Sequence, residues 1–200
     1  MLVEKQYNRE RAVMYARRWA LFRNPLFADF TGIGGNCTNF VSQCLYAGGC
    51  VMNFTPVYGW YYITQSQRTA SWTGVPYFYD FLTGNEGEGP YAAEEELSLL
   101  LPGDVIQLGR EDGYYHTLLC TGRDADGTPL VAAQSDNALD RPLSTYRYGM
   151  ARGLHILGVR MEVAELTDCY EGLYGGTALI LGEEPLPLPP IGEENSGETE

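Results

Sequence analysis

Residues 31–49 read TGIGGNCTNFVSQCLYAGG, and the rest of the chain is arranged around this stretch. Gly32, Gly34 and Gly35 open backbone conformations that other residues avoid, as a tight loop entering a helix requires. Asn36 is a favoured helix N-cap, which places Cys37 at the first helical position. Unpaired backbone N–H groups and the positive end of the helix dipole favour a thiolate there. Phe40, Val41, Cys44 and Leu45 recur at helical spacing and mark a buried face, and Gly48 and Gly49 end the helix. Cys44 lies inside the apolar stripe and reads as core, since cysteine is among the most buried residue types. Cys37, preceded by a polar residue and a glycine loop, reads as a nucleophile.

Upstream, Ala12, Val13, Tyr15, Ala16, Trp19, Ala20 and Phe22 give a helical apolar face from Asn8 to about Phe22, and Asn24-Pro25 breaks it. Arg9, Arg11, Arg17 and Arg18 on that segment read as a solvated face. Downstream, residues 50–92 are dense in aromatic residues, glycine and proline and read as an irregular insertion. A short helix is expected over Tyr77–Leu82 after Pro76, and another over Glu94–Leu100 before Pro102-Gly103. After Gly103 the period becomes strand-like in four runs, DVIQLG, YYHTLLCTG, LVAAQS and GLHILGVR. The polar turn Gly122–Pro129 joins the second and third runs as a hairpin. Helices followed by antiparallel strands indicate an α+β fold.

At 200 residues the chain fits one globular domain over residues 1–165. Residues 166–182 carry no assignable pattern. Residues 183–200 combine prolines with six glutamates and no basic residue, and are expected to be disordered or extended. The LPLPP run within them could present a polyproline II ligand. The five cysteines match neither a disulfide scaffold nor a zinc site and are expected to be reduced thiols. The first residues lack a secretory signal and no run is long enough to span a membrane. A soluble, cytoplasmic protein is therefore expected as written, or an extracellular one if a leader has been removed. The net charge of −13 argues against nucleic acid as a partner. There is no P-loop, HExxH, GxSxG or dinucleotide fingerprint, and Lys5 is the only lysine, so neither a metal nor another cofactor is expected.

A cysteine nucleophile needs a base, and the chain offers His116 and His155. His116 opens the run HTLLCTG after the turn GREDGYY, at a strand end from which a side chain reaches a cleft. His155, between Leu154 and Ile156, reads as structural. A third polar group should fix the imidazole. A hairpin centred near Ala125 sets Gln134 across from His116, with Asp136 and Asn137 as alternative orienting residues. The Cys37 N–H, together with Asn36 or an amide of the Thr31–Gly35 loop, would form an oxyanion hole. Trp60, Tyr61, Tyr62 and Trp72 either line a substrate groove or pack in the core.

Several blocks taken together carry a family resemblance: YNRERAVMYARRWALFRNPLF, GGNCTNFVSQCLYAGG, GWYY, SWTG, GDVIQLG with YYHTLLCTG, and DRPLSTYRYGMARGLHI. Over about residues 6–157 the chain resembles the putative amidase domain family of the papain-like cysteine hydrolase superfamily. The resemblance implies an α+β papain-like core in which the cysteine-bearing helix packs on a small antiparallel sheet carrying the histidine. Cys37 then matches the nucleophile and His116 the base. This chain departs from the pattern at Gln134, where relatives have a histidine, and at Asn137, where an aspartate is frequent. The implied activity is bacterial amide or peptide hydrolysis through an acyl-enzyme, with peptidoglycan-derived peptides among the substrates of the wider superfamily. The rival expectation is an inactive module binding a peptide or glycan in its groove.

Overall fold

A computed structural model describes residues 1–162 and 168–179. In chain order the elements are β1 (Val3–Lys5), α1 (Arg9–Trp19), α2 (Cys37–Gly49), α3 (Ala70–Thr73), α4 (Val75–Gly84) and β2 (Gly89–Glu95). There follow β3 (Val105–Arg110), β4 (Gly113–Arg123), β5 (Pro129–Ala133), β6 (Ala138–Pro142), β7 (Met150–Met161) and α5 (Tyr170–Gly175). The fold is α+β, and the four strand-like runs after Gly103 are β3, β4, β5 and β7. The seven strands pair antiparallel in the order β1-β7-β3-β4-β5-β6, and β2 also pairs with β7.

Two local expectations are corrected. Residues 94–100 do not form a helix. Glu94 and Glu95 end β2, whose backbone pairs with Leu154 and Gly153 of β7. The sheet edge needs a partner, and that tertiary demand overrides the helix preference of AAEEEL. The basic residues of α1 are not merely solvated: Arg9 reaches Asp104 at 2.6 Å and Arg11 grips Asp168 with both terminal nitrogens, at 2.8 and 2.9 Å.

Alternation along β4 divides the core. Leu119 packs with Val105, Ala132 and Leu154 against α1 and α2, and Leu118 packs with Ile106, Leu108 and Val131 on the opposite face. The C-terminal end of α2 lies so close to the chain before α1 that a Cβ at Gly48 would collide with the Tyr7 ring. The aromatic expectation resolves mostly towards core. Trp60 and Trp72 are fully buried with ring centroids 4.6 Å apart, and their indole N–H groups donate to Ser42 and Asn39. Tyr62 is buried and accepts from the Ala28 N–H, and only Tyr61 is partly exposed, stacked on Phe54.

The expectation of five reduced thiols is also corrected, because Cys50 and Cys169 form a disulfide. Cys50 is the left-handed C-cap of α2 and Cys169 the N-cap of α5, and packing of the two helices brings their Cα atoms to 5.4 Å. That pairing depends on tertiary contact between residues 119 apart in sequence. It ties α5, part of the unassigned 166–182 stretch, to the main core. Trp19 Nε1 and Asn24 Nδ2 donate to the Tyr174 and Leu173 carbonyls of α5. Cys44 and Cys120 are free and fully buried, and Cys37 is free and almost so. The disorder expected for residues 183–200 lies outside the described residues. Among the described residues no helix is long and apolar enough to cross a membrane.

His155 has the structural role expected of it. Its Nδ1 lies 2.8 Å from Oδ2 of Asp104, a fully buried carboxylate that also accepts from Arg9 and from the Leu101 and Ile156 N–H groups. These bonds fasten the start of α1 to β7 and to the entry of β3.

Candidate active site

Cys37 occupies the first position of α2, after Asn36 at the N-cap. The Asn36 side chain does not cap the helix in the usual way. Its Oδ1 accepts from the Phe30 N–H at 3.0 Å and from Asn39 Nδ2 at 2.8 Å, and its Nδ2 donates to Gln134 Oε1. Asn39 in turn donates to the Ala28 carbonyl and accepts from Trp72 Nε1. The Asn36 amide thus shapes the loop entering α2, with its oxygen and one of its two N–H donors engaged there. The first helical bond is Phe40 N–H to the Asn36 carbonyl. No described residue accepts from the N–H groups of Cys37, Thr38 and Asn39, and these three remain as donors at the helix start. In the preceding loop the Ile33 and Gly35 amides both donate to the Phe30 carbonyl and the Thr31 amide donates to Asp29.

Two contacts, one on each side of Cys37, fasten it to the interior of β4, where His116 also lies rather than at the expected strand end, and to the turn after β5. The Asn36 N–H donates to Ser135 Oγ, and Thr38 Oγ1 lies 2.9 Å from Thr117 Oγ1. A Cβ at Gly35, where φ is +100°, would press on the same Ser135 hydroxyl at 3.3 Å. Ser135 itself has a φ of +80°, a left-handed conformation that favours glycine, and its contact with the α2 entry helps to hold it there.

The hairpin register explains which residues meet. Beyond a bulge between Cys120 and Gly122, Leu119 pairs with Ala132. β5 ends at Ala133, and Gln134 and Ser135 lie in the turn that leads to β6, so neither is paired with His116 across the ladder. The turn is centred one place beyond Ala125, so Gln134 faces the helices. Its Nε2 donates at 2.8 Å to the carbonyls of both Trp19 and Phe22, its Oε1 accepts from Asn36, and it makes no bond to His116. The sequence reading missed this anchoring role. The signal available was a neutral amide directly after the apolar run LVAA, where a buried polar group needs several partners. Asn137 accepts from Arg23 at 3.1 Å and Asp136 pairs with Arg141 at 3.1 Å.

His116 is largely buried, on the face of β4 opposite Thr117, with Tyr146 6.2 Å from its ring centroid. Its ring makes no hydrogen bond to a described residue, and none joins it to Cys37 Sγ. Burial holds its pKa below the ordinary histidine value, Asp136 pulls it up and Arg141 pushes it down. The resting imidazole is therefore neutral at pH 7 and suited to accept a proton. No group of three or more potential metal-ligating side chains occurs among the described residues.

Comparison with known proteins places these residues in a family. The uncharacterized protein YhbB of Bacillus subtilis (strain 168) is 37% identical over 133 residues. The aligned segment covers 65% of this chain and 42% of YhbB, so the chain spans less than half of that relative's length. No solved structure matches. The family model described as "Putative amidase domain" matches residues 6–157, a span holding Cys37, His116, Gln134 and the strands that carry them, and the chain belongs to that family.

Proposed function

We propose that this chain hydrolyses an amide or peptide bond through a cysteine acyl-enzyme, with Cys37 as nucleophile and His116 as base, on a papain-like arrangement of helix and sheet. The observation that carries this reading is the pair of contacts flanking Cys37. The residue before it is fastened to Ser135, in the turn after β5, and the residue after it to Thr117, the neighbour of His116 on β4. The family's amidase label supports amide hydrolysis. The dyad requires the His116 ring, which makes no hydrogen bond to a described residue and lies on the face of β4 opposite Thr117, to swing towards α2 when substrate binds.

His116 takes the Cys37 proton as sulfur attacks the carbonyl carbon. The oxygen that gains the electron pair is held by the free N–H groups at the start of α2. Collapse of the tetrahedral intermediate expels the amine, which receives the proton from His116. Water, deprotonated by the same imidazole, then cleaves the thioester and releases the acid. Gln134 is a positioning residue acting through Asn36 on the loop that presents Cys37. The Cys50–Cys169 disulfide supports an oxidising compartment, where wall-derived peptides are accessible, over the cytoplasm.

Digestion of bacterial cell-wall fragments and of a peptide-amide library, read by mass spectrometry, tests the proposal. Turnover that is lost in Cys37→Ala and His116→Ala is the expected result. Binding without turnover would favour an inactive peptide- or glycan-binding module.

A further inference from the structure

Three side chains near His116 have no part in the scheme above: Tyr146, whose ring centroid is 6.2 Å away, and Asp136 and Arg141, whose charges act on the imidazole. Arg141 on β6 is about one-third exposed and extends over the Tyr146 ring, with its guanidinium carbon 4.1 Å from the ring centroid. Its Nε donates to Thr145 Oγ1 at 2.8 Å, and Thr145 Oγ1 donates to the Pro142 carbonyl at 2.8 Å, so the guanidinium plane is fixed from behind. Its Nη1 holds Asp136, whose side chain is 76% exposed. The Tyr146 hydroxyl is buried beside this guanidinium, which points towards its oxygen, and no described residue accepts its proton.

We infer that Arg141 and Tyr146 receive a carboxylate of the substrate, which replaces Asp136 on the guanidinium and leaves Asp136 free to accept from His116. The inference rests on the reading of His116 as the catalytic base and names the substrate class as amides that also carry a free carboxylate. A pre-oriented guanidinium fork matches a carboxylate in geometry and charge. The exchange costs little, because a largely exposed ion pair contributes little to stability. A buried hydroxyl without an acceptor is costly, and a ligand oxygen would satisfy it. The groups facing His116 are Tyr115 on its own strand, Asp136 before β6, Arg141 on β6, Tyr146 beyond it and, in the proposed reaction, Cys37 on α2. Moving Asp136 from Arg141 to the imidazole favours the protonated ring, so bound carboxylate should raise the His116 titration midpoint.

The test follows the imidazole resonances of His116 and His155, the two histidines of the chain, in Cys37→Ala protein, with His155→Gln assigning them. The probes are N-acetylglycine and its neutral amide, N-acetylglycinamide, at equal ionic strength. N-acetylglycine should raise the His116 midpoint in a saturable way and the amide should not. Arg141→Gln should raise the midpoint without ligand and abolish the response. Arg141→Lys, which keeps the charge and loses the fork, and Tyr146→Phe, which removes only the hydroxyl, should each weaken probe binding roughly tenfold. No response, an equal response to the amide, or a response that survives in Arg141→Gln would overturn the inference. Because the readout needs no turnover, its failure leaves the hydrolase reading intact. Conversely, a saturable response in a protein without amidase activity would retain the carboxylate site and discard the hydrolase.

Discussion

The hydroxyls of Thr38 and Thr117 lie 2.9 Å apart, and each belongs to the residue directly after a proposed catalytic side chain, Cys37 on α2 and His116 on β4. Both threonines are fully buried, and Thr117 Oγ1 also accepts from Gln107 Nε2 at 3.4 Å. The contact fixes the start of the helix relative to the interior of β4, and the distance between nucleophile and base depends on it.

Thr117→Val should therefore lower stability by about 1–3 kcal/mol, because it leaves the buried Thr38 hydroxyl with only the long contact to Cys37 Sγ at 3.9 Å. Adding Thr38→Val should cost less than the sum of the single changes, a coupling that a double-mutant cycle in urea would measure. Strict additivity would mean that the contact carries no energy.

Gln134→Ala should both destabilise the protein and slow the chemistry. It strands the Phe22 carbonyl, leaves the Trp19 carbonyl with only the Phe22 N–H, and frees Asn36, so a loss of about 1–3 kcal/mol is expected. Gln134→Glu should not rescue it, since a carboxylate cannot donate to two carbonyls. Thermal melts alongside Cys37 alkylation rates would check both effects. An unchanged melting temperature with lost activity would restore Gln134 as a direct partner of His116.

Burial of His116 has a consequence for stability against pH. With its pKa in the folded protein below the unfolded value of 6.5, the unfolded chain binds the proton more readily. The contribution of the neutral ring is complete above about pH 6.5 and is lost as pH falls from there towards the folded value. His116→Gln should flatten the fall in melting temperature over that interval. An equally steep fall in the variant would assign the dependence to other groups.

The disulfide closes a loop whose ends are 119 residues apart. Replacing both Cys50 and Cys169 by alanine should cost about 2–5 kcal/mol, by widening the unfolded ensemble and by releasing α5 from α1 and α2. Denaturant titration of the variant against the oxidised protein measures this. A difference near zero would show that helix packing alone holds α5.

The elements governed by local pattern were legible in the sequence. α1, α2, α4 and the strands β3, β4, β5 and β7 announce themselves by period, caps and turn residues, and Cys44 by its place in an apolar stripe. What the sequence did not reveal depended on the three-dimensional neighbourhood. β2 looks helical until the edge of β7 claims it, and Cys50 looks like a free thiol until α5 brings Cys169 alongside. At the site, Cys37 and His116 stand out from chemistry alone, but their neighbours do not. The turn is centred on Asp126 rather than Ala125 and a bulge interrupts the pairing between Cys120 and Gly122, so β5 ends at Ala133 and Gln134 falls in the turn beyond it, bonded to the helices rather than to His116. The aromatic cluster of Trp60, Tyr62 and Trp72 could have served groove or core, and only burial distinguishes the two.

The most direct test of the central claim, that His116 activates Cys37, is the rate of Cys37 carboxamidomethylation by limiting iodoacetamide at pH 6 and pH 8, read by peptide mapping in wild type and in His116→Ala. Cys44 and Cys120 are buried with their thiol pKa values pushed up, and Cys50 and Cys169 are joined, so Cys37 is the thiol expected to label. Removing the imidazole can only open access to sulfur, so a slower variant cannot be explained by shielding. The account predicts that the wild type retains a substantial rate at pH 6 and that His116→Ala labels at least about tenfold more slowly there. Equal rates in the two proteins, both falling from pH 8 to pH 6 as an ordinary thiol does, would contradict it.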